Sequence, residues 1–69
     1  MNTAERVQQA VLSWEGVTVR NGHARLGRDD LGELPRRVLP WRVDRLIDRF
    51  RARYEQAADL IDRRAGVPA

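Results

Sequence analysis

The sequence predicts an α+β fold with a short N-terminal helix, a β-hairpin and a long C-terminal amphipathic helix, and with a three-stranded meander as an open alternative to the hairpin. Three observations predict it. Apolar residues at spacings of three and four open the chain, an Asn-Gly pair separates two alternating segments, and a second helical pattern fills the last third. With 69 residues, the chain is expected to form one small domain over residues 1–69.

The N-terminal helix is predicted over residues 3–13. Asn2 or Thr3 can cap its start, and Asn2 and Glu5 are spaced as in a capping box, in which the side chain of each residue bonds the backbone N–H of the other. The apolar residues recur on one helical face: Val7, Ala10, Val11 and Trp14. This face is expected to form part of the core.

The hairpin is predicted over residues 17–26, where apolar and polar residues alternate on both sides of Asn21-Gly22. Asn-Gly favours a type I′ turn because both central residues need positive φ. Residues 31–34 are ambiguous. They fit a short third strand or one helical turn capped by Asp29 or Asp30, and the strand is favoured because a two-stranded hairpin is marginal alone.

The long helix is predicted over residues 40–64. Pro40 suits a first helical turn, where its missing N–H costs nothing, and Gly66 suits a left-handed cap just after the end. At 1.5 Å per residue the helix is about 37 Å long. A helix of this length in so small a domain must overhang or find a partner.

An apolar seam runs along this helix at alternating spacings of four and three, as at the a and d positions of a coiled coil. Together with a Trp just before it, the seam is the predicted interface: Trp41, Val43, Ile47, Phe50, Tyr54, Ala57 and Ile61. The seam fits both packing on the chain's own hairpin and pairing with a second subunit. Self-association is expected because the chain has no cysteine and small domains without disulfides or metals often oligomerise.

Arginine supplies all 13 basic residues. This usage is typical of a GC-rich bacterial genome, and it also fits selection for bidentate contacts to phosphate or carboxylate. A stripe of arginines flanks the seam and is the predicted polyanion-binding set: Arg36, Arg37, Arg42, Arg45, Arg49 and Arg53. The alternative is an ordinary solvated helix face with weak i,i+3 and i,i+4 ion pairs.

No catalytic, cofactor-binding or metal-ligating set is predicted. His23 has no second His and no Cys to share a metal with it, and nothing near Ser13 in the sequence suggests an activating base. Asp29-Asp30 lacks the spacing of a calcium loop and is expected to form a turn or cap.

These observations predict a non-catalytic protein–protein interaction module that self-associates through its long helix. The first alternative is a nucleic-acid-binding regulator that uses the arginine stripe and the hairpin, and the second is a small-ligand carrier or enzyme with a pocket shared between subunits. No apolar run approaches the roughly 20 residues of a membrane span. No signal peptide is recognised, and a cytoplasmic location is expected.

Two segments, Trp14-Glu15-Gly16-Val17-Thr18 and Leu26-Gly27-Arg28-Asp29-Asp30-Leu31-Gly32, resemble the N-terminal part of the bacterial luciferase-like domain family of unknown function. The resemblance covers about a third of the chain and implies the helix–hairpin–strand order. Glu33 and Pro35 stand where the family pattern has two histidines, so any function of those histidines is not expected here.

Overall fold

The computed structural model of the chain describes residues 2–66, so Met1 and residues 67–69 of the predicted domain lie outside the described residues. The α+β prediction is confirmed, and the meander forms in place of a simple hairpin. One turn of 3₁₀ helix, Pro40–Arg42, leads into the last helix. The main elements in chain order are α1 (Thr3–Leu12), β1 (Val17–Arg20), β2 (His23–Leu26), β3 (Asp29–Glu33) and α2 (Val43–Arg64).

The start of α1 has the predicted cap. The backbone N–H of Glu5 donates to the Asn2 side chain at 2.8 Å, and the Asn2 amide donates back to the Glu5 carboxylate at 3.4 Å. The first bond satisfies a backbone N–H that a helix start otherwise leaves free, and the second joins the two side chains. The helix ends at Leu12, one residue earlier than predicted, because Ser13 forms its C-terminal cap.

The hairpin forms around Asn21-Gly22 as predicted. Both residues have positive φ, +53° and +75°, which the tight turn between twisted strands requires. Because Val17 pairs with Leu26 at the other end of the hairpin, the apolar residues of β1 and β2 share one face of the sheet.

The third strand is longer than predicted, because Asp29 and Asp30 belong to it. The expectation of a turn or cap at these two residues is therefore wrong. Gly27, at φ +63°, closes a two-residue turn with Arg28, so that Asp29 already pairs with Leu26. An irregularity in the ladder then leaves Leu31 as an extra residue, and Leu31 is almost fully buried.

Both helices cover the same face of the sheet. α1 lies beside β1, α2 lies beside β2 and β3, and the two helices contact each other. The side chains that meet between these layers form one apolar core: Val7, Val11, Ala24, Leu26, Leu31, Val43, Phe50 and Ala57. The opposite face of the sheet is left to polar residues, among them Thr18, Arg20 and Asp30.

The predicted helix of residues 40–64 is a 3₁₀ turn followed by α2. Its 22 residues span about 33 Å, which is most of the 40 Å length of the domain. Gly66 takes the predicted left-handed conformation, with φ +71°, and its N–H donates to the carbonyl of Arg63. Of the helices in residues 2–66, none combines the length and hydropathy that a membrane span requires.

Candidate binding surface

The seam of α2 is used mainly inside the chain. Val43, Phe50 and Ala57 are only 1%, 4% and 4% exposed, so no partner can reach them in this fold. Ile47 and Ile61 are half-buried against the same core. Of the two packings that the seam fits, α2 therefore adopts the one on its own domain along its whole length. Three members of the predicted interface are thus core residues, and self-association through the seam stays a prediction.

The half-buried Tyr54 is also engaged within the chain. Its ring lies 5.3 Å from that of Trp14, centroid to centroid, at an interplanar angle of 44°. Its hydroxyl donates to the carbonyl of Glu15 at 3.1 Å, and the guanidinium of Arg51 lies 5.3 Å from the Trp14 ring centroid. These contacts hold the middle of α2 against the segment that follows α1.

Trp41 is the one residue of the predicted interface that is strongly exposed. Its exposed fraction is 73%, and Leu39, two residues earlier, is 47% exposed. An exposed Trp presents a large apolar ring to solvent, and Trp is enriched at the energetic centres of interfaces. The sequence did not single out Leu39 as an exposed apolar residue, because Leu39 lies outside the helical repeat.

Three arginines of the predicted stripe gather immediately after Trp41. Arg42, Arg45 and Arg49 line a groove of about 320 Å³ together with Leu46. The ion pairs formed by residues 2–66 are His23–Asp30 and Asp59–Arg63, so none of these three guanidinium groups is paired with a carboxylate of that range. We call the exposed Leu39 and Trp41, with the three arginines that follow them in the chain, Arg42, Arg45 and Arg49, the Trp41 surface.

The rest of the predicted arginine stripe lies elsewhere. Arg53 donates from Nη1 to the carbonyl of Leu31 at 3.2 Å and is thereby held against β3. Arg36 and Arg37 lie beside the first turn of α1, where the hydroxyl of Thr3 donates to the carbonyl of Val38. The structure thus separates the six arginines into three groups, of which the one beside Trp41 has three members.

The lone histidine pairs with a carboxylate on the open face of the sheet. Nδ1 of His23 lies 3.1 Å from Asp30, and both side chains are substantially exposed. The N–H of Gly32 also donates to Asp30, at 2.9 Å. This backbone hydrogen bond, more than the contact with His23, lowers the pKa of the Asp30 carboxyl below its ordinary value.

The pKa of Asp30 provides a local test of this arrangement. In His23→Ala, we expect the Asp30 pKa to stay lowered, because the Gly32 N–H remains. Since the folded pKa is lowered, the ionised carboxylate stabilises the fold above the ordinary aspartate pKa, and this stabilisation is lost as the pH falls through the folded value. NMR titration of the side-chain carboxyl carbons measures the pKa directly. A return to the ordinary value in His23→Ala would contradict the role given to Gly32.

Ser13 is a potential nucleophile, but its hydroxyl is engaged in a structural hydrogen bond. The hydroxyl of Ser13 donates to the carbonyl of Ala10 at 2.6 Å. Within residues 2–66, no group of three or more His, Cys, Asp or Glu side chains is placed to hold a metal ion.

No protein-family model, curated protein or solved structure matches this chain. The resemblance to the luciferase-like domain family therefore stays a prediction, and the candidate surface is argued from its own geometry.

Proposed function

We propose that this chain is a small non-catalytic binding module that docks a macromolecular partner on the Trp41 surface. The observation that carries the proposal is the 73% exposure of Trp41 directly before a helix whose Arg42, Arg45 and Arg49 line one groove without carboxylate partners in residues 2–66. Leaving a Trp ring in water forgoes roughly 1.5–3 kcal/mol or more of burial energy. A partner that covers the ring recovers part of that energy.

The positions of the reactive side chains support a non-catalytic role. Ser13 is engaged with its own helix, and His23 lies on an open sheet face against an exposed Asp30. A general base is most effective beside a bound substrate in a site that excludes water. Nothing about the exposed His23–Asp30 pair favours it as such a site.

Self-association is the second candidate, in a form restricted to the Trp41 surface. The exposed apolar pair Leu39 and Trp41 favours it. In a two-fold symmetric dimer the same patch meets itself, so Arg42, Arg45 and Arg49 of the two copies would approach one another. Like charges repel, and salt screens the repulsion. Such a dimer is therefore expected to tighten with added salt, which sedimentation velocity at low and high salt measures.

Native mass spectrometry of the protein purified gently from its own host tests the docking surface. We expect the wild-type chain to retain a partner molecule or a second copy, and we expect Trp41→Ala to lose it. Leu12→Ala is the matched control, because Leu12 is another exposed large apolar residue, 45% exposed, at the end of α1. Equal retention by all three proteins, or no retained species in any, would show that the Trp41 surface is not the docking site.

A further inference from the structure

We propose that the partner of the Trp41 surface is a single-stranded nucleic acid, with a base stacked on Trp41 and phosphates bound by Arg42, Arg45 and Arg49. The inference rests on the proposed function of this surface as a docking site. It names the chemical class of the ligand and the roles of Trp41 and the three arginines, and it has a test of its own.

Charge complementarity is the first argument. Three guanidinium groups without an ion pair in residues 2–66 line one groove, and the whole chain carries a formal net charge of +3. Guanidinium groups are planar forks that match phosphate oxygens bidentately. All three arginines are exposed, so a flexible chain of phosphates can reach them while its counterions are released.

The spacing of the arginines fits one strand. Arg45 and Arg49 are about 6 Å apart along the axis of α2, and Arg42 directly precedes the helix. Long side chains extend from these positions, so each guanidinium can contact a different phosphate of one strand. Trp41 directly precedes Arg42 in the chain and its ring is exposed, so it is available to a base of the same strand.

The exposed ring favours single strands over duplexes. Stacking on an aromatic side chain requires a free base face, which unpaired nucleotides offer and a duplex conceals. α2 is also poorly suited to a major groove. The flank of the helix away from the arginines carries exposed carboxylates, which duplex phosphates would repel: Asp44, Asp48, Glu55, Asp59 and Asp62.

An acidic protein segment fits the surface less well. A stable protein interface buries about 800 Å² on each partner around an apolar centre. Besides Trp41, the Trp41 surface has one large exposed apolar residue, Leu39, and its remaining members are charged. A ligand that needs one aromatic platform and a row of cations uses Trp41 and all three arginines.

The test is fluorescence anisotropy of labelled oligo(dT) titrated with the full chain at low and moderate salt. We expect binding that weakens with salt, with a log–log slope near −2, since each neutralised phosphate of a single strand contributes about −0.7. Trp41→Ala is expected to weaken binding about ten-fold or more, and Trp41→Phe to recover most of it, because stacking needs only an aromatic face.

Two arginine variants separate the groove from general positive charge. Arg45→Gln is expected to make the slope shallower by about 0.7. Arg63→Gln removes the same charge at the other end of α2, where Arg63 pairs with Asp59 at 3.0 Å, and it is expected to leave binding within two-fold of wild type. Equal effects of the two variants would overturn the assignment of the groove.

Trp fluorescence reports the stacking directly. In Trp14→Phe, Trp41 is the remaining Trp, and unlabelled oligo(dT) is expected to quench its emission. Binding without quenching, or unchanged affinity in Trp41→Ala, would overturn the stacked base.

The remaining outcomes distinguish this inference from the proposed function. If oligo(dT) does not bind at low salt, while native mass spectrometry shows a Trp41-dependent partner, the inference is wrong and the docking surface stands. Trp41-dependent binding to vesicles containing anionic lipid, without binding to oligo(dT), also overturns it. If Trp41 matters in neither experiment, both the inference and the docking surface fail.

Discussion

Phe50→Ala is expected to unfold most of the protein at room temperature. Phe50 is 4% exposed at the centre of the layer between α2 and the sheet, and truncating such a buried ring typically costs about 3–5 kcal/mol. A 69-residue domain without disulfides has roughly that much stability in total. Urea unfolding followed by far-ultraviolet circular dichroism measures the loss.

Trp41→Ala is the matched control for Phe50→Ala. It also removes an aromatic ring, near the start of the same helix, but that ring is 73% exposed. We expect its free energy of unfolding to change by no more than about 0.5 kcal/mol, as for most surface substitutions. Comparable losses in the two variants would mean that α2 is not packed on the sheet through Phe50.

Gly32→Ala is expected to lower the free energy of unfolding by about 2–4 kcal/mol, through backbone strain and overpacking together. Gly32 has φ +127°, a conformation that residues with a side chain rarely adopt. A methyl group there would lie 3.2 Å from the Phe50 ring and 2.9 Å from Nη1 of Arg53. The arginine can move aside, whereas the buried ring is held by its neighbours.

Gly22→Ala separates strain from crowding. Gly22 also has positive φ, +75°, but no atom lies within 4 Å of the position a methyl group would take. Its cost is therefore conformational alone, about 1–2 kcal/mol. A loss in Gly32→Ala no larger than that in Gly22→Ala would contradict the close approach of Phe50 to β3.

Local signals in the sequence predicted most of the elements. Asn21-Gly22 favours a type I′ turn, and Asn2 with Glu5 favours a helix start. Both signals can be read from the sequence because the interactions involve neighbours in the chain. The first residues of β3 were missed for the opposite reason. Asp29 and Asp30 favour turns on their own, and their place in a strand depends on pairing with β2 after the tight turn at Gly27.

The candidate site was predicted only as a set of residue types. Periodicity shows that Val43 and Phe50 share a helix face, but it does not show what covers that face. It likewise groups Arg53 with Arg45 and Arg49, although the carbonyl of Leu31 draws Arg53 to the sheet. The exposure of Trp41 depends on the packing of the whole domain, so no short-range sequence pattern predicts it.

The bond from Arg53 to Leu31 also bears on the solubility of the protein. β3 is an outer strand of the sheet, and outer strands offer backbone groups on which another chain can add and begin to aggregate. Arg53 occupies a carbonyl acceptor of β3 and places a positive charge beside it. The other outer strand, β1, has only four residues and ends in the charged Arg20. Each outer strand thus has an arginine associated with it, and charged side chains on outer strands disfavour the addition of a further strand.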